Sequence, residues 1–406
     1  MANPTFSNLT YAGEHYAEVF GPTILNPAGL VDSELCTPID RSKFKQTINE
    51  IDDVIALQNP TAAFSPTGTA ADVDEVNLTT VPMEFHKQIS LDTVRQSWFS
   101  GQLQAGSLND YQYDALTDRY VRDVYVPKLV LAQDALVLKG KTYNGLSSIA
   151  ASIGSYTFSA SYTGLYGLLN ASSAVRKIGV GASGNQVTVA SVTKGTTTTL
   201  TLAAGSNALT RIFAGNIVSI RLAAGTGWSA INVDAEVLQV VSDTSIIIDV
   251  DTDALTSANY TGSSARVRFI NRSNILQILM NHLSKVPVAI RNGAMKIAIP
   301  SHLAVEWAGA NAAATTDAGA YTTSMQLQFF DKAMVYLDSA PANTLGTWEA
   351  KRVFYGYDMA DDASKVEVLW QGATGNKVYN LRGAMKTAVA ISKKFANEMT
   401  LTTPES

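Results

Sequence analysis

Residues 110–140, DYQYDALTDRYVRDVYVPKLVLAQDALVLKG, carry the longest helical pattern in the sequence. Apolar and aromatic residues recur in them at spacings of three and four, which places them on one face of a helix. The members of this face are Tyr113, Leu116, Tyr120, Val124, Pro127, Leu131, Ala135 and Leu138. We predict a helix over residues 110–138 that begins at the N-cap Asp110 and is roughly 43 Å long. Pro127 should kink it, because proline removes a backbone donor, and Gly140 should end it.

The residues before this helix form two further regions. Residues 1–54 are polar and contain so many prolines and glycines that no long helix or regular strand can persist, which predicts an extended arm. From Gln46 to His86 the sequence has seven acidic residues and no lysine or arginine. A turn at residues 60–68, followed by alternating apolar residues over 75–91, indicates that this stretch is a long acidic hairpin.

Short strand patterns replace the helical one after Ile178. Alternating residues separated by glycine and asparagine predict six strands, at residues 186–192, 196–202, 216–222, 235–241, 245–250 and 265–270. A run of short strands of this kind is typical of a small antiparallel sandwich or barrel. We interpret residues 179–270 as an inserted β domain with a glycine-rich entry.

The C-terminal region alternates helices with strands. The patterns predict a helix from Ser273 to Pro287, a strand after the turn at Asn292-Gly293, and a second short helix from Ser301. A loop of small residues is expected after that helix. This loop is predicted at residues 308–323. Later strands are predicted at residues 332–337, 352–355 and 365–369, followed by an apolar run over 378–395 and a polar tail.

The composition narrows the class of protein. With 406 residues the chain should form more than one structural unit, and only 16% of its residues are charged, so much of its surface should face other protein. A net charge of -5 argues against a protein that wraps nucleic acid, so any contact with DNA should be passive. The single cysteine, Cys36, excludes a disulfide framework. No signal-peptide pattern and no apolar run near ~18 residues is present, which predicts cytoplasmic synthesis and no membrane span.

Several motifs that could carry chemistry lack the context that the chemistry needs. Residues 179–184 fit the dinucleotide-binding pattern, but a strand is predicted to follow where that motif requires a helix. Residues 140–142, Gly-Lys-Thr, lack the first glycine of a phosphate loop. Asp249, Asp251 and Asp253 alternate like calcium ligands, but the required glycine and closing glutamate are missing. The histidines lack the pairing of a zinc site. We therefore predict no enzymatic activity, no cofactor and no metal site.

Three stretches carry a resemblance to a known family. They are residues 118–140, residues 286–303 (VPVAIRNGAMKIAIPSHL), and residues 330–341 (FDKAMVYLDSAP) with 352–356 (RVFYG). Together with the order of arm, acidic hairpin, very long helix and mixed α/β region, they resemble the major capsid proteins of tailed bacteriophages. The resemblance implies an α+β protein of the Hong Kong 97-type capsid fold, with an N-arm, an E-loop, a spine helix, a peripheral (P) domain and an axial (A) domain, and here an inserted all-β domain.

The resemblance also implies bounds for each part of this chain. They are 1–54 for the N-terminal arm, 55–97 for the E-loop hairpin, 98–178 for the P domain with its spine helix at 110–138, 179–270 for the β insertion domain, 271–345 for the A domain, and 346–406 for the A/P-domain strands and C-terminal tail.

The function that the resemblance implies is self-assembly into hexamers and pentamers of an icosahedral shell enclosing double-stranded DNA. The chain itself is then its main partner, with a portal protein, a separate scaffolding protein and decoration proteins as further partners, passive contact with packaged DNA, and no membrane. The protein would be assembled in the host cytoplasm and would lie in the virion capsid. Three alternatives stay open. One is an enzyme with an unrecognised site, which would need a cluster of perturbed carboxylates in a pocket. An encapsulin-like nanocompartment protein would share the fold, and a phage tail or adhesin protein would explain the insertion but not the long helix.

Charge suggests which residues join neighbouring subunits. An acidic hairpin without lysine or arginine repels itself, so a neighbouring subunit should supply cations, which makes the hairpin an intersubunit clamp. The acidic members are Asp72, Asp74, Glu75 and Glu84, and the candidate cations are Arg119, Arg122 and Lys128 on the helix and Arg41, Lys43 and Lys45 on the arm. The alternative is a solvated acidic loop. The missing lysine also predicts that the hairpin tip forms no covalent lysine cross-link.

Overall fold

The structure is a computed structural model that describes most of the chain. The described residues are 9–11, 26–40, 42, 44–52, 72–90, 121–140, 162–183, 185–223, 228–255, 260–261, 265–291, 295–314, 328–329, 332–358, 366–370 and 378–404. The chain folds into two compact units. The first unit comprises residues 1–137, 150–162 and 354–390, and the second comprises residues 138–149, 163–353 and 391–406.

Strands and helices are numbered here along the described residues. The strands are β1 Leu9–Tyr11, β2 Thr37–Ile39, β3 Lys45–Asp52, β4 Asp72–Thr79, β5 Val81–Ser90, β6 Arg176–Gly179, β7 Gln186–Thr193, β8 Thr198–Leu202, β9 Ile217–Arg221, β10 Asp234–Ser242, β11 Ser245–Ile248, β12 Tyr260–Thr261, β13 Arg266–Phe269, β14 Lys296–Pro300, β15 Gln328–Phe329, β16 Lys332–Leu337, β17 Leu345–Trp348, β18 Val353–Asp358, β19 Val366–Trp370, β20 Val378–Ile391 and β21 Thr400–Thr403. The α-helices are α1 Val126–Lys139, α2 Leu165–Ala171, α3 Ala208–Arg211, α4 Ile275–Lys285, α5 Val288–Arg291 and α6 His302–Ala314.

The first unit is built on a six-stranded sheet. Five strands lie in the order β1-β19-β20-β18-β2, and β5 pairs with β20 outside that path. Strand β5 runs antiparallel to β20 along its whole length, from Val81 opposite Thr387 to Ser90 opposite Val378. Helix α1 contacts this sheet through Gln133, whose Nε2 donates a hydrogen bond of 3.3 Å to the hydroxyl of Tyr355 on β18.

The long helix is described from residue 121 onward, and the predicted part at 110–120 lies outside the described residues. Residues Val121–Tyr125 form one π-helical turn that continues into α1. Pro127 is the second residue of α1, in the first turn, where a backbone N–H has no partner within an α-helix. The α-helical geometry therefore begins next to this proline. The predicted end is confirmed, because Gly140 follows α1 with a φ of 66°, the left-handed conformation that glycine adopts freely.

The acidic hairpin is formed by β3 and β4. They pair antiparallel from Lys45 opposite Thr79 to Asp52 opposite Asp72. The strand predicted over 75–91 is wrong in one respect, since it is two strands separated at Thr80. The backbone N–H of Thr80 donates to the carbonyl of Phe44, at the base of the hairpin. The chain then leaves the hairpin, and β5 joins the sheet of the first unit.

A closed antiparallel barrel occupies residues 186–269 of the second unit. Strands β7, β13, β9, β10, β11 and β8 follow one another, β8 pairs back with β7, and β12 adds to β7. All six strand predictions in this region are confirmed within a few residues. The barrel has its own apolar core, which includes Val189, Leu200, Ile220, Val237 and Phe269. It falls in one compact unit with residues 271–353, so the expected separate β unit is not a compact unit of its own.

A second six-stranded sheet lies in the same unit, in the order β15-β16-β14-β17-β21-β6. Helices α4 and α6 share an apolar core with β14, which explains the helical stripes in the sequence. The helix predicted from Ser273 is confirmed as α4, and the strand after the turn at 292–293 is confirmed as β14. The loop predicted from residue 308 is wrong up to Ala314, because the alanine-rich segment continues α6.

The C-terminal residues are not the polar tail that composition predicts. Residues Thr400–Thr403 form β21, which pairs antiparallel with β17 and parallel with β6. All four residues are buried. Threonine is β-branched, so it suits a strand even where its hydroxyl needs an internal partner.

Candidate assembly surface

The base of the hairpin is packed against the sheet of the first unit. Val76 and Leu78 of β4 are buried in one apolar cluster with Phe354 of β18 and Ala388 of β20. The contact is close, since a Cβ added to Gly356 would come within 2.4 Å of Leu78 Cδ2. This end of the hairpin is therefore anchored within its own chain.

The far half of the hairpin, residues 50–52 and 72–75, has the opposite character, and we call it the distal hairpin. The register places Glu50 opposite Asp74 and Asp52 opposite Asp72. Like charges at directly opposed positions destabilise a pair of strands. The side chains of Asp72 and Asp74 are exposed, whereas Glu50 is buried. The distal hairpin thus concentrates negative charge at the end that is farthest from its apolar anchor.

An apolar pair lies on the other face of the distal hairpin. Ile51 and Val73 are directly opposite each other, with 65% and 56% of their surface exposed. Glu75 is exposed on the same face, since successive residues of a strand alternate between its two faces. Two exposed branched side chains beside a carboxylate form a small surface that could be buried by another protein.

The candidate cations of the arm are only partly described. Arg41 and Lys43 lie outside the described residues. Lys45 does not belong to an arm, since it is the first residue of β3 and lies opposite Thr79 at the base of the hairpin. The expectation of an arm cation at Lys45 is therefore wrong, because the hairpin begins earlier than the sequence pattern suggested.

The candidate cations of the helix present a different surface. Arg119 lies outside the described residues, but Arg122 and Lys128 are both exposed. Lys128 shares a helix face with Leu131, three residues later, which is 48% exposed. This face, defined by Lys128 and Leu131, combines positive charge with an exposed apolar side chain, and we call it the basic helix face. Arg122 lies nine residues before Leu131, so it is on a different side of the helix.

Glu84 is not part of the hairpin. It lies on β5, where its Oε2 is 3.2 Å from His86 Nε2 and 3.6 Å from an Arg382 guanidinium nitrogen on β20. The expectation that only a neighbouring subunit could supply a cation to Glu84 is therefore wrong. The sequence could not show this, because Arg382 is brought to Glu84 by strand pairing across about 300 residues.

Sequence reasoning also missed a buried polar network in the second unit. Arg221 and Asp234, on neighbouring barrel strands, form an ion pair of 2.7 Å with side chains only 4% and 3% exposed. The amide nitrogen of Asn343 donates to the carbonyl of Ile217 and to the Ser219 hydroxyl, and its oxygen accepts from the N–H of Ile270. These bonds join the barrel to the loop that precedes β17.

Two histidines with lowered pKa values belong to the same unit, where His282 is buried and His302 is half-buried. His282 of α4 lies between two hydroxyls, with Nδ1 2.8 Å from Thr402 Oγ1 and Nε2 2.8 Å from Thr347 Oγ1. Burial lowers the pKa of His282 to about 3, and its neutral ring can donate from one nitrogen and accept at the other. Burial also lowers the pKa of His302 to about 4. Both rings are neutral near pH 7, and His282 serves as an internal hydrogen-bonding group.

Neither a metal site nor a membrane-spanning helix lies within the described residues. Within them, no group of three or more His, Cys, Asp or Glu side chains is placed to hold a metal ion. No helix in the described part of the chain is long and apolar enough to cross a membrane.

No protein-family model and no curated protein matches the chain. Among solved structures, it is similar to chains described as "Capsid of empty GTA particle computed with C5 symmetry", "Satellite phage P4 procapsid including size determination (Sid) protein" and "Cyanophage A-1(L) capsid asymmetric unit". All three are capsids or procapsids. Their sequence identities to this chain are 10%, 9% and 11%.

The similarity extends over nearly the whole length of each chain. It covers 94%, 96% and 95% of this chain and 90%, 91% and 92% of the three others, with TM-scores of 0.42, 0.47 and 0.38. Scores of this size reflect broad coverage without close superposition.

Proposed function

We propose that this chain is a structural shell protein, the major capsid subunit of a tailed bacteriophage, that assembles into the hexamers and pentamers of an icosahedral shell around double-stranded DNA. The observation that carries the proposal is the distal hairpin. Its exposed apolar pair, Ile51 and Val73, and its exposed carboxylates extend beyond an anchored base. Exposed apolar side chains of this kind can be buried by another copy, so we infer that the distal hairpin contacts a neighbouring subunit.

The basic helix face of a neighbouring copy is a suitable partner for the distal hairpin. Lys128 would face Glu75, the carboxylate on the same face as the apolar pair, and Leu131 would cover that pair. Each exposed ion pair contributes only about 0.2–1 kcal/mol, but a shell repeats the contact at every subunit. In this proposal the hairpin is the E-loop, the helix is the spine helix, and the contact is noncovalent.

The remaining parts follow from the same proposal. The barrel is an insertion on the outer face of the shell, and a portal, a separate scaffolding protein and decoration proteins complete the particle. The described strands of the arm, β1 and β2, belong to the sheet of their own chain. Contact with DNA is passive, in keeping with the net charge of -5. We propose no catalytic role. The helical segment from Val121 to Lys139 supports a shell subunit over a tail or adhesin protein.

Electron microscopy of the purified full chain tests this proposal most simply. The chain should form closed shells, or rings of five and six copies, as its concentration is raised or a crowding agent is added. Tubes would instead support a tail protein, and shells that enclose a co-purified protein would support a nanocompartment. A monodisperse monomer at every concentration in analytical ultracentrifugation would overturn all shell functions.

A further inference from the structure

The sheet of the first unit ends in an open edge at β5. One edge of this strand pairs with β20 over ten residue pairs. In the part of the chain that the structure describes, no strand pairs with its other edge. Pro82, Glu84, His86, Lys87 and Gln88 are exposed along it. A long open edge offers a row of backbone N–H and C=O groups to an incoming strand.

Pro82 indicates which residues direct their backbone groups outward. Proline has no N–H, so in a sheet it suits a position whose nitrogen faces the open edge. Residues alternate along a strand, so the N–H and C=O groups of Glu84, His86 and Gln88 should also face that edge. These residues would form the hydrogen bonds to an added strand.

We propose that the open edges of two copies of this chain pair antiparallel about a two-fold axis at Phe85, so that the two sheets become continuous. Glu84 of each copy then lies opposite His86 of the other, which gives two opposite-charge or hydrogen-bonded pairs. Arg382, which is already 3.6 Å from Glu84 in its own chain, would flank each pair.

Charge selects this register over its neighbours. With the axis at Glu84, the two glutamates would face each other and repel. With the axis at His86, the two histidines would face each other and Glu84 would lie opposite Gln88, so both charge pairs would be lost. If the pairing shifted by one residue, backbone groups that face the open edge of one copy would lie opposite residues whose backbone groups face β20 in the other copy. Of these three two-fold axes, the one at Phe85 is the one that brings each Glu84 opposite a His86.

The inference rests on the proposed function only in naming a second copy as the partner. It differs from the clamp between the hairpin and the helix, since β5 is outside the hairpin. A closed shell needs more than one kind of contact between copies, and a two-fold contact supplies one that a ring of clamps does not.

Cysteine cross-linking of the full chain tests the register. Directly opposed residues that exchange hydrogen bonds have Cα atoms about 5.5 Å apart, which suits a disulfide. The variant with Glu84→Cys and His86→Cys should give a disulfide-linked dimer on a non-reducing gel after mild oxidation. The control with Glu84→Cys and Gln88→Cys should give little dimer, and dimer in the control alone would overturn the register. Wild-type protein should give none, since burial raises the pKa of Cys36 to about 12.

A charge exchange provides the second measurement. Glu84→Lys should weaken the dimer signal of a Phe85→Cys variant several-fold, whereas exchanging the two residues, Glu84→His with His86→Glu, should restore it. Equal cross-linking in all three backgrounds would overturn the role of charge. Shells without any β5 cross-link would overturn the edge pairing and leave the proposed function standing. Cross-linked dimers that never form shells would support the edge pairing and count against the proposed function.

Discussion

The distal hairpin and the polar network of the second unit handle polar groups in opposite ways. In the network, Arg221 is paired with Asp234 and Asn343 satisfies three backbone or side-chain groups, all inside one chain. In the distal hairpin, the exposed carboxylate of Glu75 adjoins the exposed apolar pair, Ile51 and Val73. Buried groups must find partners in their own fold, whereas exposed groups can be left for a neighbouring chain. The difference distinguishes residues that build the subunit from residues that we propose join subunits.

The largest expected effect is on the buried ion pair. Asp234→Ala should lower the free energy of unfolding by about 3–5 kcal/mol, because it leaves the Arg221 charge buried without its partner. The matched control replaces both residues, Arg221→Met with Asp234→Leu, and should cost much less. Denaturant unfolding monitored by fluorescence checks both. A loss below about 1 kcal/mol for the single variant would show that the pair is more solvated than its burial indicates.

The two ends of the hairpin should respond differently to truncation. Leu78→Ala should destabilise the first unit by about 2–4 kcal/mol, because it opens a cavity in the cluster at the base. Val73→Ala, at an exposed site of the same strand, should change stability by no more than about 0.5 kcal/mol. Thermal unfolding of the two variants under one set of conditions measures the contrast. Equal losses would mean that the distal hairpin is buried within its own subunit.

Acid should weaken the second unit through its histidines. The folded pKa values of His282 and His302, about 3 and about 4, lie below the unfolded value of about 6.5. Their contribution is therefore complete above about pH 6.5 and declines as the pH falls below it, by up to about 1.4 kcal/mol per pH unit for each ring. In the His282→Gln variant, the loss of unfolding free energy per pH unit should be smaller, by up to the contribution of one ring. An unchanged slope between pH 6.5 and 4 would contradict the neutral state of His282.

The smallest effect on stability should accompany a clear effect on assembly. Replacing the apolar pair, Ile51→Ser with Val73→Ser, should leave the unfolding midpoint nearly unchanged and reduce the yield of assembled particles. Sedimentation velocity measures the assembled fraction, and Thr47→Ser at the exposed base of the hairpin is the control. Normal assembly by the double variant would remove the apolar pair from the proposed clamp.

The sequence predicted the local elements well, because each depends on a short pattern. The barrel strands, α4 and the glycine stop at Gly140 follow from alternation, helical spacing and backbone freedom. The C-terminal strand β21 was missed because Thr400–Thr403 is polar in composition, and its burial depends on pairing with strands more than 50 and 200 residues away. The strand predicted over 75–91 is interrupted at Thr80, where the backbone N–H donates to the carbonyl of Phe44. This hydrogen bond joins residues far apart in the sequence, so no local pattern could predict it.

The candidate site was predicted less completely for the same reason. The distribution of charge in the sequence predicted Asp72, Asp74 and Glu75 as contact residues of an acidic hairpin, and all three are exposed on that hairpin. It could not find the pairing of Ile51 with Val73, which depends on the register of the hairpin, or the contact of Glu84 with Arg382, which depends on the pairing of β5 with β20. Residue type indicates what a side chain can do, but topology decides which partner it meets.

The most direct measurement of the central claim is a charge reversal in the distal hairpin. The variant with Asp72→Lys, Asp74→Lys and Glu75→Lys should keep its unfolding midpoint and lose most of its assembly into particles, because the hairpin would then repel the basic helix face. The matched control places lysines at Thr47, Asn77 and Thr79, three exposed positions nearer the base, and should assemble. Particle yield and salt resistance are compared by electron microscopy and sedimentation. Unchanged yield and salt resistance in the reversed variant would contradict the clamp.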